Sequence, residues 1–119
     1  MTTQEIANKL VEHCRKGSYE ECYQELYSPD IVSVENDGTQ VKGFDGIQKK
    51  GKDWNEGIEE FKDSSVGDPV VSGNYFSVPM SMTLKFKGAE QQTDFREICV
   101  YQVQDGKIVK EQFFYDEPF

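Results

Sequence analysis

Two glutamates near the end of the chain, Glu97 and Glu111, stand in surroundings that suit acid–base chemistry. Each lies in a predicted strand with aromatic residues nearby, Tyr101 after Glu97 and Phe113 after Glu111. A carboxyl group in an aromatic, partly dry environment has a raised pKa, and neighbouring carboxylates disfavour each other's ionisation. A general acid or base works best with a pKa near neutral pH. The alternative is that these glutamates line a wet surface or pair with Arg96 or a lysine.

The turn between the last two predicted strands decides which way Glu111 faces. A period of two places five residues of the first strand on one face: Phe95, Glu97, Cys99, Tyr101 and Val103. A three-residue loop with Gly106 as a bulge pairs Cys99 with Glu111 and Glu97 with Phe113, so that Glu111 joins that face. We favour this loop, because Asp-Gly-Lys after a strand fits a type I turn followed by a left-handed glycine. A two-residue loop would instead place there the neighbours of Glu111, Lys110 and Gln112.

Three helices are predicted in the first half of the chain. The first begins with the capping box Thr2-x-x-Glu5 and ends at Gly17. A second box, Ser18-x-x-Glu21, opens a short helix that ends before Pro29. The third is expected to begin with Asp45 as its cap and to carry an apolar stripe of four residues: Ile47, Trp54, Ile58 and Phe61.

The remaining elements are predicted to be strands. The segments 31–35 and 39–43 flank Asn36-Asp37-Gly38 and predict a hairpin. From residue 66 onward, short alternating segments with turn residues between them predict four more strands. The order ααββαββββ is typical of one α+β domain, residues 1–119, with three helices packed on a curved, mainly antiparallel sheet.

This order resembles the cone-shaped fold shared by nuclear transport factor 2, ketosteroid isomerase, scytalone dehydratase and the SnoaL-like polyketide cyclases. The segments that carry the resemblance span nearly the whole chain: KGSYEE, LYSPDIVSVE, GFDGI, GNYFSVPM and VYQVQDGKIVKEQFFYD. The sequence is closest to the SnoaL-like branch. The resemblance implies a conical pocket between the inner face of the sheet and the helices.

The resemblance also implies roles for single positions. In the isomerase branch a proton-shuttling aspartate ends the first strand, and Glu35 matches it here. That branch holds the enolate oxygen with a tyrosine on the first helix and a protonated aspartate on a late strand. Leu10 and Cys99 match these two donors. The chain therefore has a carboxylate at the position of the base but no strong hydrogen-bond donor at the positions of the oxyanion hole. With the bulged loop, Glu35, Glu97 and Glu111 are all expected to face the pocket.

The pocket wall is expected to be apolar and to bind the ligand through seven residues: Trp54, Met80, Met82, Cys99, Tyr101, Phe113 and Tyr115. Trp54 and the two methionines are also explained as core packing, since core and pocket wall are one surface in such a cone.

Composition narrows the classes of partner. The 119 residues carry a net charge of -9, and no basic stripe is visible, so nucleic acids and anionic membranes are poor partners. The amino terminus lacks the pattern of a signal peptide, and no apolar run reaches about 18 residues, which favours the cytoplasm. Three cysteines without CxxC spacing suit reduced thiols. A single histidine, His13, predicts no metal site, and no cofactor motif is present.

These observations predict a small-molecule enzyme of SnoaL-like type. It would perform cofactor-free acid–base chemistry, as an isomerase, cyclase or lyase, on a hydrophobic carbonyl compound. Glu35 is the leading base, with Glu111 or Glu97 as the second carboxylate. The alternative is a non-catalytic protein that binds a small apolar ligand. A polar, uncharged stripe of Ser77, Ser81 and Thr83 on the outer sheet face predicts a homodimer.

Overall fold

The computed structural model describes residues 1–116. Residues 117–119, which the expected domain includes, lie outside the described residues. The elements follow in the order α1 (Thr3–Lys16), α2 (Tyr19–Leu26), β1 (Tyr27–Val34), β2 (Gln40–Lys42), α3 (Gly43–Glu56), β3 (Ile58–Val66), β4 (Val70–Ser72), β5 (Tyr75–Phe86), β6 (Thr93–Gln104) and β7 (Lys107–Phe114). This arrangement of helices on a curved, mostly antiparallel sheet confirms the expected α+β class.

The sheet places the last strand beside the first. Its strand order is β2-β1-β7-β6-β5-β3, with β4 paired to β5. The β1–β7 pair is parallel, whereas the other pairs are antiparallel. Because β7 lies between β1 and β6, its residue Glu111 has Ser33 on one side and Tyr101 on the other.

The first helix forms as its end signals predict. The Thr2 hydroxyl accepts a hydrogen bond from the amide of Glu5, and the Glu5 carboxylate accepts one from the amide of Thr2. Gly17 ends the helix with φ 72°, a left-handed conformation that costs glycine little. The buried face of α1 packs on the sheet through Ile6, Ala7, Leu10 and Val11.

The other two helices begin without the predicted side-chain caps. Ser18 precedes α2, but its backbone lies at φ -87° and ψ 56°, outside the extended region from which a cap side chain reaches the first turn, and its hydroxyl caps nothing. The helix α3 begins at Gly43, ahead of Asp45, and its cap residue Lys42 makes no side-chain bond. Asp45 therefore lies within the first turn, where its charge favours the helix dipole.

The third helix is shorter than predicted, and a strand follows it. Ile58 and Phe61 belong to β3, not to α3, because the helix ends at Gly57. The strand β3 is at the edge of the sheet and is mostly exposed on both faces, so its sequence lacks the alternation that marks a half-buried strand. Phe61 is 54% exposed. The chain therefore has one more strand than the sequence predicts.

The last turn has two residues, and the predicted three-residue loop is wrong. Asp105 and Gly106 have φ values of 53° and 75°, as a type I′ hairpin turn requires. The pairing register then shifts between Gln102 and Val103, where Val109 is the extra residue of a bulge. A two-residue turn alone would direct Glu111 away from the core. The extra residue of the bulge shifts the alternation of β7 by one, so that Glu111 faces the core as predicted.

The predicted pairs in this hairpin are displaced by two residues. Cys99 pairs with Phe113, and Tyr101 pairs with Glu111. The expected pairs Cys99–Glu111 and Glu97–Phe113 do not form, because the turn and the bulge move β7 along β6.

The core fills the space between α1, α2 and the inner face of the sheet. Its fully buried members include Ile6, Leu10, Leu26, Phe76 and Ile108. Within the described part of the chain, none of the helices has the length and apolar character needed to cross a bilayer.

Candidate functional site

Glu111 is a carboxylate buried in the sheet. It is 4% exposed, and it accepts hydrogen bonds from the hydroxyls of Tyr27 and Ser33, the second at 2.8 Å. Burial raises the pKa of Glu111, while the charge of Lys50 and the two hydroxyl donors oppose that rise. The buried charge is therefore stabilised by three neighbours, as a carboxylate in a core requires.

Lys50 reaches this buried network from α3. Its Nζ lies 2.8 Å from Ser33 Oγ, 2.5 Å from Glu35 Oε1 and 3.9 Å from Glu111 Oε2. The same ammonium stands 4.0 Å from the centre of the Phe113 ring. Ser33 accepts from Lys50 and donates to Glu111, so the serine hydroxyl connects the cation to the buried carboxylate.

Glu35 is the outermost member of the network. It follows β1 directly and is held by the β1–β2 hairpin, where its amide donates to the carbonyl of Thr39 at 2.9 Å. The side chains of Glu35 and Lys50 are each 27% exposed, so their ion pair lies at the boundary between core and solvent. The structure thus places Glu35 beside a cation and not in an apolar pocket.

Glu97 has different surroundings. It lies on β6 opposite Met80 of β5, and the Cys99 thiol donates a hydrogen bond to it at 3.4 Å. A thiol is a weak donor. Burial raises the pKa of Glu97 to about 7, against the lowering effects of that hydrogen bond and of the Lys50 charge. Its carboxyl group therefore changes charge near neutral pH.

Glu97 also lines an open depression of about 810 Å³. Two predicted wall residues, Met80 and Tyr115, line it as well. Apolar residues of the outer sheet face complete one side of it, namely Pro79, Ile98 and Phe114. Neither Glu35 nor Glu111 lines this depression.

Aromatic contacts connect the depression to α3. The ring of Phe95 lies 5.9 Å from Trp54 and 5.0 Å from Tyr115. Met82 pairs with Phe95 across the sheet and is half-buried. The structure therefore brings the predicted wall residues Trp54, Met82 and Tyr115 together around one ring.

Two further predicted wall residues lie deeper. Cys99 is fully buried, and Tyr101 is 3% exposed and stacks on Phe76 with ring centres 4.8 Å apart. Both belong to the hydrophobic core. Phe113 packs against that core and lies between it and Lys50.

The two glutamates of the final hairpin are not diagonal neighbours, which corrects the sequence-based expectation. Glu111 pairs with Tyr101, four residues beyond Glu97 on the same strand. Four residues of strand span about 13 Å at the backbone. The Cys99–Phe113 pair lies between the two carboxyl groups, so the site has two parts: the Lys50 network and the Glu97 depression.

Three members of the network, Tyr27, Ser33 and Lys50, are not among the site residues predicted from the sequence. Ser33 has the same parity on β1 as Glu35, so the period of two could have indicated it. Lys50 comes three residues after Ile47 and four before Trp54, which places all three on one face of α3. Tyr27 had no such signal, because an irregularity in β1 between Tyr27 and Val32 breaks the alternation.

The positions that match oxyanion donors in the isomerase branch hold no strong donor here. Leu10 is 1% exposed and packs in the core. Burial raises the pKa of the Cys99 thiol far above its usual range, so it remains a neutral, weak donor to Glu97. Across residues 1–116, no three histidine, cysteine, aspartate or glutamate side chains cluster closely enough to hold a metal ion. The cation of this site is the ammonium of Lys50.

Comparisons with known proteins agree with this architecture. Among solved structures, a protein from Mesorhizobium loti that is described as a candidate SnoaL-like polyketide cyclase is similar to this chain, with 27% identity and a TM-score of 0.89. The match covers 97% of this chain and 100% of the other. An NTF2-like protein from Burkholderia thailandensis has 15% identity and TM-score 0.83, with coverage of 98% and 92%. TerC, co-crystallised with polyporic acid, has 13% identity and TM-score 0.76, with coverage of 97% and 92%.

Sequence comparison gives the family. A search of curated protein sequences finds no match. The family model described as SnoaL-like domain matches residues 1–115, nearly the whole chain. The chain therefore belongs to the SnoaL-like domain family and has the cone-shaped NTF2-like fold.

Proposed function

We propose that the chain is a small-molecule enzyme of SnoaL-like type that performs cofactor-free acid–base chemistry on a hydrophobic carbonyl compound. The reaction class is an isomerisation, cyclisation or elimination, in which a proton leaves carbon and returns elsewhere. The observation that carries the proposal is Glu97, a half-buried carboxyl group on the inner face of β6 whose hydrogen bond comes from a weak thiol donor.

Glu97 is the best placed of the three glutamates to exchange protons. Since its pKa is raised to about 7, both its charged and its neutral form are populated at neutral pH. A group in this range can accept a proton from a carbon acid and give it back. Glu97 is thus the base in this proposal, in place of Glu35, which the resemblance favours.

Glu35 and Glu111 have supporting roles in the proposal. The carboxylate of Glu35 is paired with the Lys50 ammonium at 2.5 Å, so it is occupied by a cation in this structure. Glu111 is occupied by Tyr27 and Ser33. Together the two carboxylates hold the Lys50 ammonium in position.

The ligand in this proposal is small and apolar. Its wall combines Trp54, Met80, Met82, Phe113 and Tyr115, with Cys99 and Tyr101 behind them. The comparisons support a small-molecule role, since one relative is described as a candidate polyketide cyclase and another structure contains polyporic acid.

Hydrogen–deuterium exchange of an apolar ketone tests the assignment of Glu97. The probe is 2-tetralone in D2O, with the loss of its α-hydrogens followed by NMR. We expect the wild-type protein to accelerate the exchange and Glu97→Gln to reduce the acceleration by at least ~100-fold. Glu90→Gln, at an exposed position away from the site, is the matched control. Unchanged exchange in Glu97→Gln contradicts the proposal.

A second candidate function is non-catalytic binding of the same class of ligand. It is favoured by the buried Leu10 and Cys99, which leave the positions of the oxyanion donors without a strong donor. A binding protein should keep its affinity for 2-tetralone in Glu97→Gln and lose it in Trp54→Ala. An enzyme should lose turnover in Glu97→Gln while it still binds the probe.

We further propose a homodimer formed through the outer sheet face. Cross-strand pairing aligns Pro79, Ile98 and Phe114 in one row on that face, beside the predicted polar residues Ser77 and Ser81. Ile98 is 51% exposed and Phe114 47%, which is unusual for apolar side chains in the middle of a sheet. Analytical ultracentrifugation should show a dimer that Ile98→Glu dissociates, and a wild-type monomer at high micromolar concentration contradicts this.

We also propose that the protein acts in the cytoplasm, without nucleic-acid or membrane partners. Its cysteines Cys14, Cys22 and Cys99 are free thiols, which suits a reducing compartment. The net charge of -9 disfavours polyanionic partners.

A further inference from the structure

Among the residues that the structure describes, the Lys50 ammonium donates one hydrogen bond, to Ser33 Oγ at 2.8 Å. Glu35 Oε1 and Glu111 Oε2 are ion-pair partners at 2.5 Å and 3.9 Å, and Glu35 Oε1 receives no hydrogen bond within this part of the chain. The other close neighbour of the ammonium is the ring face of Phe113, 4.0 Å away. An aromatic face is a weaker partner for an ammonium than a negatively charged oxygen. The ammonium can therefore donate a hydrogen bond to one more oxygen without losing the bond to Ser33.

The surroundings of Lys50 suit a flat apolar molecule that carries such an oxygen. The side chain of Lys50 is 27% exposed, so it is in contact with solvent. Phe113 offers a half-buried ring beside the ammonium, and Trp54 lies one turn further along the same face of α3. A conjugated ligand that stacks near Phe113 would bring its oxygen to the ammonium.

We propose that Lys50 is a catalytic residue that binds the negatively charged oxygen of an enolate or phenolate. The substrate class of the site is then a conjugated carbonyl or phenolic compound on an apolar frame. This inference rests on the proposed acid–base function and deepens it. Lys50 supplies the charge stabilisation that the buried Leu10 and Cys99 do not.

The proton and the charge balance in this step. A C–H bond next to the carbonyl breaks, and its proton moves to the Glu97 carboxylate. The electron pair of that bond forms the enolate, whose negative charge lies on the oxygen. Lys50 keeps its proton and donates a hydrogen bond to that oxygen. The net charge of the site is unchanged, and return of the proton to another carbon completes an isomerisation.

Glu35 competes with the ligand for Lys50. Its carboxylate is partly exposed and can turn into water when an anionic oxygen arrives. Glu111 cannot move in the same way, because it is buried and held by Tyr27 and Ser33. Removing the charge of Glu35 should therefore strengthen the binding of an anion at Lys50, whereas removing the charge of Lys50 should abolish it.

A phenol with a visible absorption band tests this assignment. The probe is 4-nitrophenol, whose phenolate and neutral forms differ in colour, at about one pH unit below its ionisation point in water. Its methyl ether, 4-nitroanisole, has the same frame but cannot ionise. We expect the wild-type protein to bind 4-nitrophenol as the phenolate, at least about tenfold more tightly than the ether.

Variants assign the effect to Lys50. Lys50→Met should lose the phenolate band and the tenfold preference, and so should the double variant Lys50→Met/Glu35→Gln, in which the Glu35 carboxylate is not left without its cation. Glu35→Gln should bind the phenolate more tightly than the wild type. Lys52→Met removes a charge from an exposed position of the same helix and should behave as the wild type.

The outcomes separate the two proposals. Binding of the ether together with 4-nitrophenol in its neutral form contradicts the role of Lys50 and leaves the apolar site in place. Phenolate binding that persists in the double variant contradicts the role of Lys50 as well. A protein that binds neither compound contradicts both the role of Lys50 and the proposed ligand class.

Discussion

Ser33 donates its hydroxyl hydrogen to the buried carboxylate of Glu111 at 2.8 Å, across the single parallel pair that the described sheet contains. The two residues are 78 positions apart in the chain, and they become neighbours because β7 inserts between β1 and β6. The same hydroxyl accepts from Lys50. One small side chain thus links the first strand, the third helix and the last strand at a charged group inside the core.

Ser33→Ala is expected to destabilise the protein by about 1–3 kcal/mol, because Glu111 loses a donor and Lys50 an acceptor in a buried place. Urea denaturation measures the change in the free energy of unfolding. Ser72→Ala, at an exposed position of β4, is the matched control and should change it by less than about 0.5 kcal/mol. Equal effects of the two substitutions would show that the Ser33 hydroxyl contributes nothing specific.

The carboxyl carbon of Glu97 is expected to titrate with a midpoint near pH 7, because burial disfavours its charged form. NMR spectra recorded across the pH range, with Glu97→Gln to assign the signal, measure this pKa without any substrate. A midpoint at the ordinary value for glutamate would mean that the Glu97 carboxyl is well hydrated, and the proposed base would then lack its main support.

Stability is expected to fall as pH rises from about 4.5 to about 7 through the ionisation of Glu97. Its folded pKa is raised, so the folded state binds more protons than the unfolded state in this window, and ionisation favours unfolding. The loss is at most about 3 kcal/mol for a shift of this size. Glu111, whose pKa is also raised, acts in the same direction.

Urea midpoints at several pH values measure this dependence. In Glu97→Gln the fall in stability across the window should be smaller than in the wild type. If both proteins show the same pH dependence, Glu97 ionises equally in the folded and unfolded states.

Lys50 and Glu35 are expected to be energetically coupled by about 1 kcal/mol or more, because their ion pair at 2.5 Å is partly shielded from water. Lys50→Met alone leaves Glu35 and Glu111 without their cation, so it should destabilise more than the double variant Lys50→Met/Glu35→Gln. A double-mutant cycle from urea denaturation gives the coupling. If the effects of the two substitutions on the free energy of unfolding are additive, the Lys50–Glu35 ion pair contributes no more than an ordinary exposed ion pair.

Two glycine substitutions are expected to have opposite effects. Gly106→Ala should destabilise by about 1 kcal/mol, because its φ of 75° is unfavourable for alanine. Gly51→Ala should stabilise by a similar amount, since Gly51 lies inside α3 with nothing within 4 Å of an added Cβ atom. Thermal unfolding of the two variants checks both signs.

The parts of the fold that local chemistry determines were predictable from sequence. The cap formed by Thr2 and Glu5 needs only four consecutive residues, and Gly17 ends the helix whatever lies around it. The strand β3 was not predictable in this way, because an edge strand exposed on both faces carries no alternating pattern. The turn at Asp105 and Gly106 was wrongly predicted because Asp-Gly suits both a two-residue type I′ turn and a three-residue loop with a left-handed glycine.

The carboxylates of the candidate site could be predicted from the sequence, but its cation, Lys50, could not. Glu97 and Glu111 could be placed on the inner face because period two survives along β6 and the bulge restores it on β7. Lys50 resembles the exposed lysines near it in α3, and its role depends on Ser33 and Glu111, which reach it only through the folded sheet. Contacts of this kind depend on tertiary pairing that no local pattern encodes.

The bulge at Val109 has a consequence for deletions in this hairpin. Val109 takes no place in the β6–β7 pairing, since Ile108 and Lys110 on either side of it face the consecutive residues Val103 and Gln102. Deletion of Val109 would therefore leave Glu111 opposite Tyr101 and facing the core. If Val109 instead entered the ladder, every later residue of β7 would change face, so that Glu111 would turn outward and Lys110 or Gln112 would enter the core.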